Sequence, residues 1–122
     1  MSASTEYKHI DPEMLQELSN GDNGFISEII EIFLEDVPVS FKKMAEAIEE
    51  SDLQTVARQA HKLKPSSGMI GAEVATNLAS EIEVIAGIND PNTQLPAMLI
   101  SLGDALDNCY KDLSKYQSQV LR

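Results

Sequence analysis

The sequence predicts an all-α protein, an antiparallel four-helix bundle with short N-terminal helical additions. Three observations carry that prediction. Apolar residues recur at three- and four-residue intervals through several long segments, the period of a helix with one buried face. No segment alternates apolar and polar residues as a half-buried strand would. The breaks between segments are short, which makes successive helices antiparallel neighbours. At 122 residues the chain fits one domain with one core. Residues 1–9, without periodicity, read as a flexible tail, and residues 10–122 as the domain.

Each element has its own signal. Asp11 is placed as N-cap and Pro12 as first residue of a short helix ending at Leu18. Asn20-Gly21-Asp22 breaks the chain. Phe25, Ile26, Ile29, Ile30, Phe33 and Val37 then mark a helix from Asn23 to Asp36. Pro38 is expected to interrupt it, because a proline inside a helix removes a donor and clashes with the preceding turn. Phe41, Met44, Ala45 and Ile48 mark the next helical segment. Ser51 with Gln54 three residues on resembles a capping box and predicts a helix from Asp52. Its buried stripe is Leu53, Val56, Ala60, Leu63 and Ser67, and Gly68 and Gly71 end it. A helix over 72–86 is expected to bury Val74, Leu78, Ile82 and Ile85. Gly87 to Thr93 reads as a loop. The last helix carries the longest repeat, from Leu95 through Leu99, Leu102, Leu106, Cys109, Leu113 and Tyr116 to Val120.

Composition narrows the function classes. Nine basic against twenty acidic side chains give a formal charge of −11. That balance argues against general binding to nucleic acid or to an anionic membrane, where Lys and Arg must dominate. No apolar run approaches the roughly 20 residues needed to span a bilayer. The opening MSASTEYK lacks the basic-then-apolar order of a secretory signal. Cys109 stands alone and falls on an apolar stripe, so it reads as a buried, inert thiol. The chain is therefore expected to be a cytoplasmic monomer, and the leading Met1 favours a free-standing protein. Metal-ligand spacing and a glycine-rich nucleotide loop are both lacking.

Charge is unevenly spread. From Leu53 to Ala72 there is no acidic residue, while Arg58, Lys62 and Lys64 all lie in that window. His61 follows Ala60, about 100° round the helix from the buried stripe, on its flank or outer face. A histidine there is by default an ordinary surface residue. Arg58 and Lys64, three residues before and after it, share its face, and Lys62 leans in from the side. Cations beside a neutral imidazole leave a ring nitrogen free to attack. The same cations stabilise a doubly charged phosphoryl group once it is attached. His9, by contrast, lies in the tail and reads as exposed, with no site.

The run Ala60-His61-Lys62-Leu63-Lys64-Pro65-Ser66-Ser67 followed by Gly71-Ala72 resembles the motif of the histidine phosphotransfer (HPt) domains of multistep two-component phosphorelays. Upstream, IIEIFLEDVP and SDLQTVARQAH also match that family's usual run, so the resemblance covers roughly residues 25–86. It implies that His61 is the phosphoacceptor, through its outer ring nitrogen, and that Lys64 lies beside the phosphoryl oxygens. Glu83 matches the position from which the family orients the imidazole; the plain alternative is a solvated helix residue. Arg58, Lys62 and Ser66 are supporting residues around the motif. Pro65 departs from the family's usual glycine. It has no N–H for the His61 carbonyl, disfavours helix at Lys64, and is expected to bend the helix beside the acceptor.

By this resemblance the chain is a covalent phosphoryl carrier rather than a complete enzyme. It takes phosphate from the aspartate of one response-regulator receiver domain and passes it to another, in a relay fed by a hybrid sensor histidine kinase. It binds no cofactor itself, and Mg²⁺ is supplied by the receiver. Two other readings stay open at this stage. One is a helical adaptor that docks receivers without carrying phosphate, with Pro65 as the reason. The other is an unrelated bundle.

Overall fold

Five helices make up the described part of the chain, residues 7–88 and 94–121 of this computed structural model. They are α1 (Pro12–Ser19), α2 (Asn23–Glu49), α3 (Leu53–Met69), α4 (Glu73–Gly87) and α5 (Gln94–Gln119), with no strand among the described residues. The four long helices form a ring in chain order, with α5 returning to α2 and α1 lying across α2 and α3. Of the expected 87–93 loop, residues 89–93 lie outside the described residues.

The core is continuous. Phe33, Leu15, Ile26, Ile30, Met44, Leu63, Ile70, Ile82, Leu102, Leu106 and Leu113 are almost wholly enclosed. Burying each such side chain contributes about 1.5–3 kcal/mol before entropy is subtracted. Phe33 meets Tyr110 edge to face, ring centroids 5.9 Å apart.

Three helices end by the same device. Asn20, Ser51 and Gly71 adopt positive φ, and paired backbone bonds close each terminus. At the end of α3 the Ala72 N–H donates to the Ser67 carbonyl at 3.0 Å, and the Gly71 N–H to that of Gly68 at 3.1 Å. Such Schellman closures satisfy carbonyls that a helix end leaves orphaned. Asp11 caps α1 by accepting from the Glu13 N–H at 3.0 Å, with Pro12 as its first residue.

Four sequence expectations are corrected here. Pro38 does not interrupt: α2 runs unbroken through it. Its buried residues Phe33, Val37, Ser40 and Met44 keep one phase across the proline, which sits on the exposed side, so packing outweighs the lost hydrogen bond. Ser51 is not the cap of α3 but the left-handed residue that ends α2; Asp52 caps α3, accepting from the Thr55 N–H at 3.2 Å and the Thr55 hydroxyl at 2.6 Å. Helix α4 buries Ala75, Ala79, Ile82 and Ala86, a stripe rotated from the expected one, and leaves Val74 exposed. Small side chains on that face let α4 approach α3 closely.

The fourth correction concerns the tail. Residues 1–6 lie outside the described residues, but Tyr7 and Ile10 are buried against the bundle. The Tyr7 ring packs edge-on to Tyr116 at 5.6 Å, with the Lys115 ammonium 5.2 Å from its centre. Its hydroxyl donates to Gln119 Oε1 at 3.0 Å. The His9 N–H donates to Asp112 Oδ2 at 2.9 Å, and the Asp11 N–H to the Ile70 carbonyl at 2.8 Å. This strap joins α5 to the α3–α4 corner.

Gly71 is where the strap and the corner meet. It has φ +69°, and a Cβ there would collide with Asp11. Gly71→Ala is therefore expected to cost about 2–4 kcal/mol in urea denaturation, from left-handed strain plus overpacking. Gly68→Ala faces open space inside a helix and is expected to gain roughly 0.5–1 kcal/mol instead. Burial, aided by Asp112, pushes the Cys109 thiol up to about 12. Its Sγ–H donates to the His9 carbonyl at 3.3 Å. Cys109 should resist a thiol reagent at pH 8 in the folded protein and react once urea unfolds it.

Candidate functional site

The site is built where the middle of α3 faces the second half of α4. Helix α3 buries Val56, Gln59, Ala60, Leu63 and Ser67, which turns His61 outward. Its side chain is 73% exposed. Pro65 lies inside α3 without ending it, and Lys64 keeps helical geometry although it precedes a proline. Pro65 sits on the exposed side of the helix, opposite the buried face, so packing outweighs the lost hydrogen bond. The Ser67 hydroxyl bonds the carbonyls of Leu63 and Lys64 at 3.1 and 3.2 Å.

Ser67 also ties the two helices together. Its Oγ is 2.9 Å from the Thr76 hydroxyl, which donates in turn to the Ala72 carbonyl at 2.8 Å. This buried link sets the register of α4 on α3. One turn beyond Ala79, Glu83 then comes opposite the histidine.

Glu83 divides its carboxylate between two partners. Oε2 lies 2.9 Å from His61 Nδ1, and Oε1 accepts from Lys64 Nζ at 2.9 Å. The Lys64 ammonium, and then the His61 contact, hold the Glu83 carboxyl below its usual range against a partial loss of solvent. An ionised carboxylate has no proton to give, so Nδ1 is the donor. In the neutral ring this leaves the lone pair on Nε2, facing solvent. The arrangement is an aimed, accessible nitrogen nucleophile with a cation one helical turn away.

The other residues singled out in the sequence go elsewhere. Arg58 acts on Asp52 at the start of α3, as the smallest of the influences lowering that carboxyl after the two Thr55 hydrogen bonds. Lys62 and Ser66 face the opposite flank, lining a groove of about 220 Å³ shared with α2 residues such as Asp36 and Lys43. So the structure brings His61, Lys64 and Glu83 together and leaves Lys62 and Ser66 apart. Gln59, Thr76 and Tyr7 were not singled out at all. Gln59 is 6% exposed and lines the same groove. Thr76 carried no motif, and its role depends on the register of two helices.

No group of three or more His, Cys, Asp or Glu is arranged to hold a metal among the described residues. No described helix is long and apolar enough to cross a membrane. Fold and site together define a helical bundle that displays one oriented histidine on its flank. Comparison with known proteins gives that class its family. The Hpt domain family matches residues 28–116, and the chain belongs to it. The chain is 24% identical over 113 residues to the phosphorelay intermediate protein rdeA of Dictyostelium discoideum, covering 93% of this chain and 44% of that protein. It thus spans less than half of that relative's length. The crystal structure of histidine-containing phosphotransfer protein B (HptB) from Pseudomonas aeruginosa PAO1 superposes with a TM-score of 0.79 at 19% identity. That likeness covers 90% of this chain and 96% of the other, and shows the same fold.

The Lys64 ammonium is the largest influence on Glu83. Lys64→Met is therefore expected to move the Glu83 titration upward, toward an ordinary carboxylate, when its side-chain carbon is followed by NMR against pH. Lys62→Met, on the other flank, should leave it in place.

Proposed function

We propose that this chain is a phosphoryl carrier in a phosphorelay, with His61 as the acceptor. The observation that carries the reading is the oriented, exposed imidazole whose Nδ1 is held by Glu83 while Nε2 is free. Membership of the Hpt domain family and the likeness to a phosphorelay intermediate support it.

The transfer needs little from this chain beyond position. The Nε2 lone pair attacks the phosphorus of an aspartyl phosphate on a receiver domain. The N–P bond forms as the P–O bond breaks, and the departing electron pair stays on the receiver's carboxylate. The Nδ1 proton remains on the ring. Passing the group to a second receiver is the same step reversed. The divalent cation and most of the charge stabilisation come from the receiver, as is usual where phosphoryl transfer depends on positioning. Lys64 supplies a cation on the side of the incoming group, and Arg58 and Lys62 add positive potential. A hybrid sensor kinase fits as the source of phosphate.

Mixing the protein with a phosphorylated receiver tests this. An acid-labile, base-stable label should appear on the chain and vanish in His61→Gln with the helical spectrum unchanged. A variant labelled at the wild-type rate would place the acceptor elsewhere. Receiver binding without any label would make the chain a docking adaptor. Lys64→Ala should slow labelling about tenfold or more, given roughly 1.5–3 kcal/mol for a charge-assisted contact made in the transition state. Lys62→Ala, on the far flank, should slow it less. Equal effects would mean that only the general positive potential matters.

A further inference from the structure

Glu83 is a carboxylate where a neutral amide oxygen would suffice to accept from Nδ1–H. What the charge adds follows from the chemistry of the ring. When Nε2 gives its electron pair to phosphorus and Nδ1 keeps its proton, the ring becomes positive. Such a protonated phospho-ring releases its phosphoryl group easily, because a neutral imidazole departs. Once Nδ1 is deprotonated, the leaving group is an anionic imidazolate, and the N–P bond becomes inert. The proton on Nδ1 therefore decides whether the phosphate can move on.

Resting on the reading of His61 as acceptor, we infer that Glu83 is the positioning residue that keeps this proton in place. Its charge, 2.9 Å from Nδ1, extends the pH range over which phospho-His61 remains transferable. Lys64 tempers that charge by sharing the same carboxylate at 2.9 Å. From helix α4, Glu83 reaches the ring, and among the described residues it is the one ion-pair partner of His61. Helix α3 contributes Lys64 beside the ring, while Arg58 lies by Asp52 and Lys62 on the other flank. Helix α2 brings Asp36 and Lys43 to the groove that Lys62 lines, and Asp11 and Met14 lie with Gly68 and Gly71 around a separate cleft at the C-terminal end of α3. Without Glu83, the Lys64 ammonium loses the carboxylate it shares with the ring and favours loss of the proton.

The test uses the full chain phosphorylated by potassium phosphoramidate, which modifies histidine without a receiver. The ³¹P resonance of phospho-His61, assigned by its absence in His61→Gln, is followed against pH together with the rate of phosphate loss. Glu83→Gln should lower the midpoint of both by about 0.5–1 pH unit, modest because the ring is solvated. Above the wild-type midpoint that shift slows phosphate loss up to about tenfold. Glu83→Ala should behave like Glu83→Gln, and Lys64→Met, which keeps the charge, should stay at or above the wild type. If Glu83→Gln keeps the wild-type midpoint and only Glu83→Ala moves, Glu83 is no more than a hydrogen-bond acceptor, and the inference fails. A fall in Lys64→Met equal to that in Glu83→Gln would trace the effect to the broken ion pair and also overturn it. Receiver-driven labelling that fails while the shift holds overturns the carrier reading alone. Labelling that proceeds without the shift overturns this inference alone.

Discussion

The site depends on one carboxylate reaching two helical partners at once. Glu83 can touch both the imidazole of His61 and the ammonium of Lys64 only if α4 lies close to α3 and in one register. Much of the bundle's local sequence serves that requirement. Ala75, Ala79 and Ala86 keep the α4 face thin, and Ala60 does the same on α3. The Ser67–Thr76 link fixes the register, and the left-handed turn at Gly71 returns the chain immediately. A bulky substitution on either face would move Glu83 before it touched the histidine itself.

The same corner is braced from outside. The strap from Tyr7 to Asp11 is anchored on α5 through Tyr116, Gln119 and Asp112, and it ends by donating to the Ile70 carbonyl. Gly71 has no side chain because Asp11 occupies that space. The turn that positions α4 is thus held between the bundle and a segment far away in the sequence. Pro65 can stand in α3 for a related reason. Its local cost falls on the exposed side of a helix whose opposite face is buried, so packing holds the helix through it.

The helical architecture was legible because its period is written in the apolar residues. The bundle, the α5 repeat and the outward direction of His61 all follow from that phase. Two breaks in legibility have a common origin, since both turn on tertiary packing. At Pro38 the local penalty pointed to a stop, while the apolar phase on either side ran on unchanged, and the phase prevailed. In α4 the branched Val74 reads as core but is exposed, Leu78 and Ile85 pack only at the edge of the core, and the alanines take the buried face because the neighbour is so close. Tyr7 was unreadable for want of periodicity; a lone aromatic carries no phase. Glu83 came to attention through resemblance to a family, whereas its division between His61 and Lys64 needed the relative register of two helices. Lys62 and Lys64 carry the same charge, but their spacing from His61 already separates them, and the structure puts Lys64 on Glu83 and Lys62 on the other flank.

The central claim is that the bundle fixes the tautomer of His61, with the proton on Nδ1 and the lone pair on Nε2. Long-range ¹H–¹⁵N NMR of the imidazole, at a pH where the ring is neutral, reads this directly. The account predicts a protonated Nδ1 and a bare Nε2, reversed or mixed in Glu83→Ala. A wild-type ring protonated on Nε2 would contradict it, because the outward nitrogen would then have no electron pair to offer.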